Sequence, residues 1–220
     1  MILTVTAGKG GVGKTTIAYN LAAELDAVAV DADLGMADLP PARGPDLHDV
    51  LAGRAAPVET VSDDGPVSVL PCGRSLAGLR GADPAELVDA VRTVAREYGR
   101  VVIDAPAGMH SDAGVALLAG DAALLVTRPT RPALAGALRT RELAREVDTP
   151  LARVVLNRAD RLADHGRLAS TLGAPVTALP ESECIAAAQR AGQPVASVAP
   201  DSTASERFAR LARAVETALC

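Results

Sequence analysis

The 220-residue chain has no tryptophan, one phenylalanine and two tyrosines. So few rings leave little with which to stack bases, and this argues against a surface that holds single-stranded nucleic acid. A net charge of −5 argues the same way against a surface made mainly for phosphate backbones, so specific nucleic-acid binding is not expected. The three cysteines, Cys72, Cys184 and Cys220, lie far apart with no Cys-x-x-Cys, so neither an iron–sulfur ligand pair nor a disulfide framework is indicated. No apolar stretch approaches the roughly 18 residues needed to cross a bilayer, and no basic segment precedes the first apolar run. A soluble protein of a reducing cytoplasm is expected. The most informative shortage is lysine: of 22 basic residues only Lys9 and Lys14 are lysines, and both stand in one glycine-rich stretch.

That stretch is Gly8, Lys9, Gly10, Gly11, Val12, Gly13, Lys14, Thr15 and Thr16, directly after the apolar run 2–6. It fits G-x-x-x-x-G-K-[ST], a phosphate-binding loop, between a strand signal and a helical one. The loop requires backbone N–H groups turned inward around a β-phosphate, which glycine permits by taking positive φ and by leaving no Cβ in the way. Lys14 is then expected to reach the β- and γ-phosphates, and Thr15 to place its hydroxyl on Mg2+. The helix opening at Lys14 adds its positive N-terminal end. A chain this averse to lysine keeps it where a compact ammonium charge, not a guanidinium fork, is required. Lys9 is a second cation where most such loops carry none.

Short apolar runs alternate with helical patterns along the whole chain, the signature of a single α/β domain over residues 1–220 with a mostly parallel sheet covered by helices on both faces. Strands are predicted at 2–7, 27–30, 67–70, 101 onward, 122–127, 152–156 and 176–179. Helices are predicted at 14–25, 47–51, 84–98, 133–147, 182–191 and 205–219. The second strand leads into Asp31-Ala32-Asp33, and carboxylates there lie at the functional edge of such a sheet, which makes Asp33 a candidate. Val101-Val102-Ile103 runs into Asp104, the form of a second nucleotide motif whose carboxylate orients water on Mg2+ or holds the metal itself. Gly108 is then a candidate backbone donor to the γ-phosphate. His110 reads as an exposed loop residue and not as a catalyst. Asn157 and Arg158 follow the sixth strand, where an amide offers a donor and an acceptor to an adenine edge. The last helix, with Phe208, Leu211, Ala212, Val215 and Leu219 on one face, reads as docked on the sheet and not on a membrane.

Taken together, Lys9–Thr16, Asp31–Ala37 and Ile103–Gly108 resemble the MinD/ParA family of deviant Walker ATPases, and within it the archaeal MinD-like members. Leu70-Pro71-Cys72-Gly73, Val155-Leu156-Asn157-Arg158 and Leu179-Pro180-Glu181 support the match, which spans nearly the whole chain in order. The resemblance implies an ATP- and Mg2+-dependent homodimer in which two subunits sandwich two ATP molecules, and a protein partner that stimulates hydrolysis. It implies that Lys9 reaches across to the partner subunit's nucleotide and that Asp33, in a first switch, supports the attacking water. It places Asp104 in a second switch near Mg2+, and Asn157, Pro180 and Glu181 in the adenine pocket. Thr15, Asp33 and Asp104 form the implied metal set. The cellular task would be positioning of a division site, a chromosome or plasmid, or a surface structure.

Two departures stand out. The chain ends at Cys220 without the amphipathic tail of division-site members, so contact with a membrane or nucleoid is expected only through a partner. Asp38 replaces an asparagine usual in relatives. Two further readings stay open at this point: a nucleotide-dependent scaffold with negligible turnover, and a metabolic ligase built on the same loop.

Overall fold

The computed structural model describes all residues except 36, 42, 74, 160–164 and 220. Met36, within the stretch Asp31–Ala37 above, and Cys220 lie outside the described residues. The apolar runs become strands, the central ones buried on both faces and β6 and β7 partly exposed toward the sheet edge: β1 (Ile2–Ala7), β2 (Val28–Asp31), β3 (Val69–Leu70), β4 (Val101–Ala107), β5 (Ala122–Thr127), β6 (Leu151–Asn157) and β7 (Val176–Leu179). They form a seven-stranded sheet in the order β3-β2-β4-β1-β5-β6-β7, and all six pairings are parallel. The helices are α1 (Lys14–Leu25), α2 (Leu47–Leu51), α3 (Leu76–Gly81), α4 (Leu87–Tyr98), α5 (Ser111–Ala119), α6 (Arg131–Glu146), α7 (His165–Leu172), α8 (Glu183–Ala191), α9 (Val195–Val198) and α10 (Thr203–Leu219).

The period-2 alternation of the strands feeds two helical layers. Leu3, Val5, Val102 and Leu124 pack with Ile17 and Leu21 of α1 and with Phe208, Leu211 and Val215 of α10. Ile2, Val30, Val101 and Ile103 face the other way, onto Leu47 and Leu51 of α2 and Val91 and Val94 of α4. Farther along that second face, Leu125 and Val154 meet Ala137 of α6 and Leu172 of α7. Full burial of side chains this size contributes about 1.5–3 kcal/mol each. The last helix is therefore docked on the sheet, as expected. Among the described residues no helix is long and apolar enough to cross a membrane.

Three element boundaries differ from expectation in ways that matter for the site. Strand β2 runs one residue farther, to Asp31, because the ladder with β4 continues to the pair Asp31–Asp104. Strand β3 is reduced to two residues, of which Val69 also bridges Ser62 in the antiparallel sense. Strand β4 continues past Asp104 to Ala107, so that aspartate sits inside the strand and not at its end. Helices α3, α5, α7 and α9 were not among the expected elements. The segment predicted as helix from residue 84 opens instead with a short 3-10 turn at Pro84–Glu86, where Asp83 accepts the Ala85 N–H.

Candidate functional site

The C-terminal ends of β1, β2, β4 and β6 meet at one edge of the sheet, around the loop of residues 8–13. Gly13 precedes α1 with φ +98°, and the loop curls so that the first turn of α1 points into an open cleft. Two neighbours fix the loop from behind. The Asn157 side-chain amide donates to the Val12 carbonyl at 2.7 Å, and a Cβ on Gly13 would overlap that amide. At the loop's start, Gly8 lies backbone to backbone against Gly136 of α6, leaving no room for a Cβ on either residue.

Lys14 points down from the first turn of α1 onto β4, where its Nζ donates to Asp104 Oδ1 at 2.6 Å. Lys14 is 7% exposed and Asp104 is fully buried. The second oxygen, Asp104 Oδ2, is buried without a hydrogen-bond partner among the described residues. Burial pushes the Asp104 carboxyl above its ordinary range; the Lys14 ammonium and, more weakly, the Thr15 hydroxyl oppose this, and the charge of Asp38 adds to it.

In register beside Asp104, on β2, is Asp31. Its Oδ1 accepts the N–H of Asp33 at 3.2 Å, and its Oδ2 accepts those of Asp38 and Leu39, both at 3.0 Å. One buried carboxylate thus ties down both ends of the loop 33–39. Burial raises its pKa to about 7, with the Asp104 charge adding to the rise and the three N–H donors opposing it. Asp33, Gly35 and Asp38 from this loop line the cleft, which has a volume of about 740 Å³ and is closed on its other sides by Lys9, Gly10, Gly11, Thr15, Thr16, Pro106, Ala107, His110 and Arg158. A slot of about 80 Å³ opens beside it between Asn157, Arg158, Pro180, Glu181, Ile185 and Phe208.

A glycine-lined helix N-terminus, a buried lysine and two adjacent buried carboxylates with an accessory slot suit a nucleotide with its phosphates at the loop. The comparisons agree. Residues 3–195 match the nucleotide-binding domain of the CobQ/CobB/MinD/ParA family. The chain belongs to this family. An ATP-binding protein of Methanocaldococcus jannaschii is 35% identical over 96% of this chain and 86% of its own length. The cell division ATPase MinD of Pyrococcus furiosus superposes with a TM-score of 0.89 at 31% identity, covering 98% of both chains. The septum site-determining protein MinD of Pyrococcus horikoshii, solved with Mg-ADP, gives 0.89 at 29% identity over 98% of this chain and 95% of that one.

Within this MinD/ParA frame, the expected residues occupy the following places. Lys9 is exposed on the cleft rim, and among the described residues no salt bridge to it is found. Gly108 has φ +106°, and its N–H donates to the Ala7 carbonyl at 2.9 Å, so a phosphate would have to displace that bond. The Asn157 amide is engaged on both sides, donating to Val12 and accepting the Arg158 N–H at 3.0 Å, which makes it a brace of the loop at the slot's wall. Arg158 adopts φ +55°, rare for a non-glycine, at the junction of cleft and slot. Pro180 and Glu181 line the slot. His110 is an exposed residue just ahead of α5, on the cleft rim.

Sequence reasoning missed Asp31 as the anchor of the loop, and it missed Gln189, which reaches the cleft, the slot and a third, neighbouring pocket. Alternation along β2 could not have found Asp31, because both faces of that strand are buried and Asp33 shares its phase. A lone glutamine on α8 carries no signal either.

Two outcomes follow from these contacts. Gly136→Ala places a methyl against the Gly8 backbone; overpacking of this kind costs about 1–3 kcal/mol, so affinity for a fluorescent ADP analogue is expected to fall roughly ten- to hundredfold. The second concerns pH. Because the folded pKa of Asp31 lies above its unfolded value of 3.8, the folded state holds more protons between about pH 4 and 7. Stability of the nucleotide-free protein should therefore fall across that window as pH rises, by on the order of 4 kcal/mol from this group. Burial of Asp104 acts in the same sense. Denaturant midpoints at pH 5 and pH 8 measure the slope, and Asp31→Asn should flatten it.

Proposed function

We propose that this chain is an ATP-driven association switch, a single P-loop ATPase domain over residues 1–220. Mg-ATP binds in the cleft, two subunits close face to face, and hydrolysis to ADP and phosphate separates them. The observation that carries this reading is the contrast between the two lysines. Lys14 is buried on Asp104, where it can turn to the phosphates of its own subunit's nucleotide. Lys9 stands exposed at the rim, with no carboxylate of its own chain paired to it among the described residues. A cation so placed suits the nucleotide of a second subunit, where it would stabilise charge that develops on the γ-phosphate.

The residues present fit Mg2+ alongside the triphosphate. The buried, unpartnered Asp104 Oδ2 is an oxygen acceptor beside Thr15, and Asp33 lines the same cleft. Thr15, Asp33 and Asp104 would hold the ion or its water shell; when bound it neutralises phosphate charge. Asp33 orients the attacking water. The Gly108 N–H leaves the Ala7 carbonyl for the γ-phosphate, and the slot at Asn157, Arg158, Pro180 and Glu181 receives the base. The cellular task is spatial positioning, by analogy with the cell division ATPase and the septum site-determining protein that the structure resembles. A protein partner would set the rate and supply any membrane or nucleoid contact; the net charge of −5 supports weak retention on DNA at most.

The test is phosphate release per subunit as a function of protein concentration. A switch that works only as a pair shows a specific activity that rises with concentration and then saturates. A specific activity independent of concentration down to the nanomolar range contradicts trans catalysis.

A further inference from the structure

Below the loop 33–39 lies a buried polar cluster that takes no part in lining the phosphate cleft. His48, in the first turn of α2, is 2% exposed. Its Nε2 lies 3.0 Å from the Leu34 carbonyl oxygen. A carbonyl only accepts, so the ring must carry its proton on Nε2 and donate it there. Leu34 is the residue after Asp33, and its side chain is also buried, among Leu47, Val50 and Leu51.

The surroundings are built to hold this imidazole. Asp46 and Asp49 form a capping box at the start of α2, and the Leu47 N–H donates to the Pro71 carbonyl at 2.8 Å, which fixes the helix to the end of β3. Cys72 places its Sγ 3.6 Å from Nε2, and burial with the nearby charges of Asp31, Asp46 and Asp33 keeps that sulfur a neutral thiol. A Cβ on Gly73 would stand 2.5 Å from both His48 Nδ1 and an Asp46 oxygen, and one on Gly78 would stand 2.9 Å from Nδ1. Both glycines leave the space that the ring occupies. Nδ1 itself is buried without a hydrogen-bond partner among the described residues. A buried histidine kept with one nitrogen unpaired, where an apolar residue would avoid that cost, points to a task for the other nitrogen.

We propose that His48 is a positioning residue for hydrolysis: through its hydrogen bond to the Leu34 carbonyl it holds the loop 33–39 so that Asp33 stands at the working distance from the phosphate. Asp31 restrains the same loop from the sheet side through the N–H groups of Asp33, Asp38 and Leu39, so that His48 and Asp31 grip it from two elements. This rests on the reading above that Asp33 orients the attacking water.

The test compares wild type with His48→Leu, which keeps the bulk and removes the donor, and with His48→Gln, whose amide nitrogen can occupy the place of Nε2. Amide hydrogen exchange with a non-hydrolysable ATP analogue bound reads the loop directly. The expected result is exchange roughly tenfold faster in peptides covering 33–39 for His48→Leu, with peptides of β1 and α1 unchanged, and recovery in His48→Gln. Turnover should fall at least tenfold in His48→Leu with KM changed less than about threefold, since a group misplaced by about 1 Å can cost up to 10²-fold. Unchanged exchange in 33–39, or exchange raised equally across α2, β3 and the loop, overturns the proposal. If wild type hydrolyses ATP no faster than Asp33→Ala, the reading of Asp33 fails instead; the exchange result still decides whether His48 holds the loop.

Discussion

Replacing Lys14 by methionine is expected to abolish nucleotide binding and to destabilise the fold at the same time. The second effect comes from what is left behind: Asp104, fully buried, loses its one ion-pair partner among the described residues and keeps only the weaker contact of the Thr15 hydroxyl. Removing one member of a buried ion pair typically costs about 3–5 kcal/mol, because the remaining charge is stranded. For a chain of this length that corresponds to a fall in melting temperature of roughly 6–20 °C. The loss should depend on pH in a defined direction. Burial already holds the Asp104 carboxyl above its ordinary range, and removal of the ammonium raises it further, so the variant recovers stability as pH falls and the carboxyl takes a proton. Lys14→Met combined with Asp104→Asn should regain most of the stability at pH 8 without regaining binding. The reverse single variant, Asp104→Asn, should cost less, because Lys14 borders the open cleft and can turn its ammonium to water. Thermal melts at two pH values on the four proteins settle the set.

The second large effect is at Lys9. Lys9→Ala is expected to bind ADP within about threefold of wild type, since the side chain stands exposed at the rim and has no ion-pair partner among the described residues. Its ATP turnover should fall by about 10³-fold or more, the range that a cation supplied in trans contributes to phosphoryl transfer. ATP-dependent association should be lost with it. Arginine should not replace it well, because a planar fork and a compact ammonium differ in reach and geometry. Mixing experiments add a sharper signature. A subunit lacking Lys9 should be rescued as a nucleotide donor by a partner that carries Lys9 but cannot bind ATP, so equimolar Lys9→Ala and Lys14→Met should show activity that neither shows alone.

Much of the site could be read from the chain because its chemistry is local. The phosphate loop is contiguous, its glycines are required by backbone geometry, and the two lysines are conspicuous in a chain whose other basic residues are all arginine. Asp104 could be found for a similar reason, as a charge in an otherwise apolar strand. Asp31 and Asp33 could not be separated so easily. They differ by two residues, and only the continuation of the β2–β4 ladder shows that Asp31 is the buried anchor while Asp33 lines the cleft. What the local sequence could not show of Asn157 is its brace on the phosphate loop, a hydrogen bond to Val12, 145 residues away in sequence. His48 gave no signal at all, since a histidine in a short helix usually faces water, and its burial depends on the vacant Cβ positions of Gly73 and Gly78. Helix α5 escaped because Ser111–Ala119 is rich in small residues and carries no polar stripe to mark a face.

The central claim is that ATP joins two copies of this chain through their phosphate loops. It is tested most directly by the mass in solution of Asp33→Ala, measured by light scattering after size exclusion with Mg-ATP, with Mg-ADP and without nucleotide. The account predicts twice the chain mass with Mg-ATP, where hydrolysis is blocked and the pair persists, and a single chain with Mg-ADP or none. A single chain under all three conditions, with ATP binding intact, would contradict it.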